Sequence, residues 1–137
     1  MDRVVYVDGC FVPEKSAKVS VFDRGFLFSD AVYEVTAVID EKLVSWSEHF
    51  SRLQQSLADI KIDIPFSEKE ILKIHRELIA LNEIKEGLVY MQISRGAVDR
   101  NFTYPSQGLV PTLVLFTQKK TIIDNIKLDQ GLKVLSF

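Results

Sequence analysis

The sequence predicts an α+β domain: a largely antiparallel, twisted sheet with two helices packed on one side. Three observations point there. Short stretches rich in β-branched residues alternate apolar and polar side chains, as half-buried strands do. Two neighbouring stretches instead carry apolar residues at spacings of three and four, the stripe of an amphipathic helix. Strand patterns flank that single helical pair on both sides, an arrangement typical of α+β folds.

In chain order, VVYV (4–7) is a short β run, and Asp8-Gly9 is a hairpin turn signal. CFV (10–12) is its expected return, ended by Pro13. KVSVF (18–22) reads as another short strand, and DRGFLFSD (23–30) as a loop. VYEVTAVID (32–40) favours a strand; period two puts Tyr33, Val35, Ala37 and Ile39 on one face and Glu34, Thr36 and Val38 on the other. The turn at 40–42 leads into LVSW, a hairpin return.

SEHFSRLQQSLADIKI (47–62) is helical, with Phe50, Leu53, Leu57 and Ile60 as its stripe and Ser47 as the expected N-cap. A second helix follows Pro65. Ser67-Glu68-Lys69-Glu70 is a capping box, Ile71, Ile74, Leu78 and Leu81 are the stripe, and Asn82 suits the end. LVYMQISR (88–95) alternates, with Val89, Met91 and Ile93 on one face. A polar loop (96–111) precedes TLVLFT (112–117), a nearly continuous apolar strand expected at the sheet centre. After an irregular connector (118–131), LKVLSF (132–137) reads as a last strand. An apolar strand there suits either a natural terminus or the front part of a longer protein.

Composition narrows the class. A chain of 137 residues suits one domain and can bury a core without disulfides. With 47% hydrophobic and 26% charged residues it is neither disordered nor membrane-like, and no apolar run approaches the roughly 20 residues that span a bilayer. MDRVVYVDGC has no secretory signal pattern. The single cysteine, Cys10, cannot form an internal disulfide, which suits a reducing, cytoplasmic setting. Net charge is −2, and Lys119-Lys120 is the densest basic cluster, so no nucleic-acid footprint is present.

Few residues suggest chemistry on their own. His49 and His75 fall on different helices, and no Cys/His spacing fits zinc; His49 reads as a surface or supporting group. No nucleophile elbow or phosphate-cradling glycine loop occurs. Cys10 reads as a buried, inert thiol. Arg52 lies at the edge of the first helical stripe, where it can pair with a local acid or reach a phosphate as a planar donor. Arg24 and Asp30 can pair with each other or with Glu34. Arg95 and Arg100 flank a loop carried by a strand, a common place for ligand contacts; a bridge to Asp99 is the plain alternative for Arg100. Tyr33 is a core or interface tyrosine by default.

Three motifs in order, DRGFLFSDAVYEVTAV, EHFSRLQQSL and YMQISRGAVDRNFTYP, resemble the front half of fold-type IV pyridoxal-phosphate aminotransferases, nearest in pattern to the D-amino acid aminotransferases. The resemblance runs from VYVDG to GLKVLSF. It implies that 1–137 is one small N-terminal domain, that Arg52 binds the phosphate of pyridoxal 5′-phosphate, and that Tyr33 and Val35 line the substrate pocket. It also implies that Arg100 receives the substrate carboxylate across the interface of a homodimer. The implied reaction moves an amino group between an amino acid, of the D series, and a 2-oxo acid.

Two departures qualify the match. The histidine expected two places after the arginine of the carboxylate site is Phe102, which cannot donate a hydrogen bond to a carboxylate. The lysine that holds the cofactor belongs to the family's larger second domain, and no lysine of this chain matches it. The chain by itself is therefore expected to lack a catalytic residue, to bind the cofactor weakly and to be inactive. Branched-chain aminotransferases and aminodeoxychorismate lyases share the arginine motif and are the alternative within the family. A stand-alone, non-catalytic binding or dimerisation domain is the alternative outside it.

Overall fold

The computed structural model describes residues 2–105, 108–123, 130–131 and 133–135. Six antiparallel strands form one sheet: β1 (Val4–Val7), β2 (Cys10–Pro13), β3 (Ala31–Ile39), β4 (Lys42–Leu43), β5 (Glu86–Ser94) and β6 (Thr112–Lys119). Their spatial order is β2-β1-β6-β5-β3-β4, so β6 is interior as its apolar run predicts. A one-turn helix α1 (Arg24–Phe28) precedes β3, and α2 (Trp46–Asp59) and α3 (Glu68–Leu81) lie between β4 and β5. None of the described helices is long and apolar enough to cross a membrane.

The core sits between one sheet face and the two long helices. Phe50, Leu53 and Leu57 of α2 and Ile71, Ile74 and Leu78 of α3 are buried, with Val38, Val89, Met91, Ile93, Leu113 and Leu115 beneath them. The predicted stripes hold except at their ends, where Ile60 is half-buried and Leu81 exposed. Ser67 and Glu70 form the predicted capping box on α3. Beyond the last turn of α3, Asn82 does more than end a helix. Its side chain takes the Val4 N–H and gives a hydrogen to the Val4 carbonyl, both at 2.8 Å, and so joins α3 to β1.

Two tight turns shape the hairpins. Asp8 and Gly9 have φ of 44° and 95°, the double positive φ that a two-residue hairpin turn needs. Asp40 and Glu41 make the same kind of turn with φ of 49° and 63°, a conformation costing about 1–2 kcal/mol for a non-glycine residue.

Several expectations need correction. KVSVF forms no strand: β1 is already paired on both edges, and 17–19 instead lies beside Val5, Val7, Val114 and Phe116 of the sheet. DRGFLFSD is not a plain loop, since Asp23 caps α1 by accepting from the Gly25 N–H at 2.8 Å. The N-cap of α2 is Ser45, not Ser47, whose hydroxyl bonds Glu48 instead. The helix starts earlier because Trp46 stacks on Phe50 and packs edge-on against His75. Cys10 is exposed at the start of β2. In the predicted last strand, Lys133 to Leu135 have no regular structure, and 132, 136 and 137 lie outside the described residues.

A buried ionic cluster fixes the sheet end where α1 enters. Asp30, 7% exposed at its side chain, accepts from Arg24 Nε at 2.7 Å and from Arg95 Nε and Nη2 at 2.7 and 2.9 Å. Arg24 also donates to the Asn101 carbonyl, and Arg95 to the carbonyls of Ile60 and Lys61. Gly25 is required in the motif because a Cβ there would meet Asp23 Oδ1 and the Ser94 Cβ at 2.9 Å. Burial alone would raise the Asp30 carboxyl, but hydrogen bonds from Arg95 and Arg24 outweigh it and hold it below the usual range. Arg95 is thus committed to structure rather than to a ligand.

Two consequences are measurable. Replacing Asp30 by Asn leaves two arginines without their counter-charge and is expected to cost about 3–5 kcal/mol in urea unfolding. His75, fully buried, donates from Nδ1 to the Ile71 carbonyl at 2.8 Å, and burial pushes its pKa down to about 4. A folded pKa below the unfolded value of about 6.5 means that stability is full above that pH and drains as pH falls toward the folded pKa. Urea melts followed by the single tryptophan, Trp46, should lose about 2 kcal/mol between about pH 6.5 and 4.5, and His75→Leu should flatten that slope. The paired carboxylates Asp30 and Glu34, both lowered, act in a separate and more acidic window.

Candidate functional site

The long strand β3 carries two different surfaces because its side chains alternate. Glu34, Thr36 and Val38 are buried toward the helices. Tyr33 is 65% exposed and Val35 37% on the opposite, open face, as the period-two reading requires. Tyr33 stacks on Tyr90 of β5, with ring centroids 5.6 Å apart, and Tyr90 stacks on Phe116 of β6 at 4.8 Å. The Tyr90 hydroxyl donates to Gln92 Oε1 at 2.7 Å. The open face is therefore an aromatic row across three strands with one polar group beside it.

The outer edge of β3 is largely free. Within the described residues β4 pairs only with Val38 and Ile39, so no strand covers the segment 31–36 on that side. Next to this segment α2 brings Arg52. Its Nε and Nη2 donate to the two carboxylate oxygens of Glu34 at 2.7 and 2.6 Å. His49 Nδ1 lies 2.7 Å from the same Oε2. Burial would raise the Glu34 carboxyl, yet the hydrogen bonds from Arg52 and then His49 prevail and hold it low. Glu34 in turn raises the Arg52 guanidinium through its hydrogen bonds and charge. Arg52 remains 66% exposed at its side chain, so much of its guanidinium faces outward.

Arg100 lies elsewhere. It is exposed on the loop after β5, with its Cζ 5.3 Å from the Phe28 ring centre and 4.6 Å from that of Phe102. Among the described residues no hydrogen bond, ion pair or ring contact links Arg100 to Tyr33, Val35 or Arg52, and none links it to Asp99. Tyr33 and Val35 thus share the open face of β3, Arg52 is bonded to Glu34 between them from the helix side, and Arg100 stands apart. No metal-binding cluster of His, Cys, Asp or Glu occurs among the described residues. A broad groove lined by Arg3, Glu14, Asn82 and Gln118 holds none of these residues.

Sequence reasoning missed Glu34 and His49 as partners of Arg52. It offered Glu34 to Arg24, but Arg24 goes to Asp30. One signal was present: Glu34 is the acid in an otherwise uncharged row, Glu34-Thr36-Val38, which the alternation assigns to the covered face. A buried carboxylate needs a cation, and Arg52 at the edge of the α2 stripe is within reach.

D-alanine aminotransferase of Staphylococcus aureus strain MSSA476 is 35% identical over 114 residues, 83% of this chain and 40% of that protein. The chain thus spans well under half the length of the curated relatives it matches. The fold resembles the crystal structure of an Escherichia coli branched-chain amino acid aminotransferase, with a TM-score of 0.82 and 18% identity over 93% of this chain and 43% of that one. The branched-chain aminotransferase of the archaeon Thermoproteus uzoniensis with norvaline gives a TM-score of 0.74 at 21% identity, over 87% of this chain and 41% of that one. At that identity the likeness speaks for the fold alone. The family model for amino-transferase class IV matches residues 31–133, from the first residue of β3 to beyond β6, and by that match the chain belongs to the class IV amino-transferases.

Proposed function

We propose that the intact protein is a pyridoxal-5′-phosphate-dependent aminotransferase that moves an amino group between a D-amino acid and a 2-oxo acid. This chain supplies the side of the site that holds the cofactor phosphate and the substrate carboxylate. One observation carries the reading. Arg52 of the second motif is bonded to Glu34, the residue between Tyr33 and Val35 of the first, beside the free edge of β3, in a chain that belongs to the class IV amino-transferases. The substrate class follows the D-alanine aminotransferases that match this chain.

The residues fit the cofactor. Arg52 uses only its Nε and one Nη2 hydrogen on Glu34, so its Nη1 edge is available to a phosphate, which a planar guanidinium grips in two-pronged fashion. When bound, the cofactor supplies an electron sink for the pair released at the substrate α-carbon. Tyr33 offers a phenol hydrogen to the substrate carboxylate, and Val35, two residues along the same face, gives an apolar wall. Arg100 stands apart from them, which suits service in a neighbouring site of a homodimer. Its guanidinium is held between Phe28 and Phe102 and keeps its edges for a carboxylate. The lysine that carries the cofactor belongs to another part of the intact protein. A cytoplasmic setting suits the exposed, free Cys10.

The intact enzyme should convert D-alanine and 2-oxoglutarate to pyruvate and glutamate and leave L-leucine unreacted. The reverse preference would favour the branched-chain reading. Phe102→His restores a hydrogen-bond donor and should lower KM for D-alanine about tenfold. The 137-residue chain alone should form no pyridoxal-phosphate adduct that survives dialysis.

A further inference from the structure

We infer that Glu34 is a positioning residue for the cofactor phosphate: it holds the Arg52 guanidinium by one edge and so presents the other edge outward. The inference rests on the phosphate role proposed for Arg52 and names the group that makes this arginine fit for it.

Glu34 is an unusual residue for its place. It occupies the helix-facing row of β3 with Thr36 and Val38, and its side chain is 4% exposed. A carboxylate so placed is costly unless every oxygen is satisfied. Here both are: Oε1 by Arg52 Nε, and Oε2 by Arg52 Nη2 and His49 Nδ1. The exposed partner gains most in definition. An arginine on a helix surface samples many rotamers, whereas two parallel bonds to one carboxylate fix the plane and direction of its guanidinium. His49 holds the carboxylate from the side and lies 3.3 Å from Arg52 Nη2, so the carboxylate cannot turn away from the arginine without leaving both partners.

A buried acid behind a phosphate site also works against binding, because like charges repel. Geometry decides which effect wins. Glu34 occupies the Nε/Nη2 edge, and the free Nη1 edge faces away from it, so the guanidinium charge stands between the two anions. Orientation is gained at the cationic edge, while repulsion acts across a longer, screened path. Partners that orient ligands in this way change affinity by about 10–100-fold at metal sites, and the same logic applies to a phosphate.

The test uses the apoenzyme of the intact protein and calorimetric titration with pyridoxal 5′-phosphate, pyridoxal and inorganic phosphate. Glu34→Gln keeps the shape and removes the charge. It should weaken pyridoxal 5′-phosphate and inorganic phosphate about tenfold or more and leave pyridoxal unchanged. Arg52→Lys, which keeps a cation but loses the fork, should give a similar loss, and adding Glu34→Gln to it should cost little more. If Glu34→Gln folds poorly, Glu34→Asp serves in its place: it keeps the charge but draws the carboxylate back from Arg52, and it should weaken pyridoxal 5′-phosphate and inorganic phosphate while leaving pyridoxal unchanged. If Glu34→Gln binds phosphate ligands as tightly as the parent or more tightly, while Arg52→Lys is weakened, the inference is wrong and the role of Arg52 stands. An equal loss for pyridoxal would mean a general structural defect and also overturn it. Unchanged binding in both variants would remove the phosphate role of Arg52 and the inference together.

Discussion

The end of the sheet where β3 begins is held by one buried carboxylate, that of Asp30. It gathers Arg24 from α1 and Arg95 from just beyond β5. Through Arg95 it reaches the carbonyls at the end of α2, and through Arg24 the loop that carries Arg100. β3 begins one residue later. The direction in which Tyr33, Glu34 and Val35 leave the sheet is therefore set at Asp30 before any of them makes a contact of its own. The stretch that looks least like core sequence is the one that anchors the start of the core's long strand β3.

The four arginines near this end divide by what surrounds them. Arg24 is buried and Arg95 half-buried; both pair with Asp30 and direct further donors to backbone carbonyls. Arg52 and Arg100 are exposed, and each is steadied from one side only, by Glu34 or by two phenylalanine rings. Guanidinium groups with spare donors at the surface are the ones suited to an anionic ligand. Residue type could not separate the two classes, and sequence neighbours do not either: Arg24 and Arg100 each follow an aspartate, while Arg52 and Arg95 each follow a serine.

Much of the fold was legible because it rests on local rules. Alternation placed both faces of β3 and β5, the apolar run placed β6 inside the sheet, and the capping box located the start of α3. What failed depended on tertiary partners. KVSVF has the composition of a strand but no open edge of β1 to join. Residues 24–28 have no helical period, yet Asp23 closes a turn there because Gly25 fits against Ser94, a contact from a distant part of the chain. The motif resemblance suggested Arg52, Tyr33 and Val35, and packing α2 beside β3 brings Arg52 to Glu34, the residue between the other two. The clamp from Glu34 was hidden for the same reason: its partner is 18 residues away on another element.

The alternation of β3 has a consequence for inheritance. Tyr33 and Glu34 are neighbours in the chain but serve opposite sides of the sheet, one toward the open face and one toward the helices. A single inserted or deleted residue between Asp30 and Tyr33 would exchange them, sending an acid to the open face and a tyrosine into the packed row. The pairing of β3 with β5 runs unbroken over nine residues and offers no bulge to absorb such a slip. Descendants of this sequence can vary here by replacing side chains but not by changing the count of residues. The spacing of the motif is in that sense a parity condition.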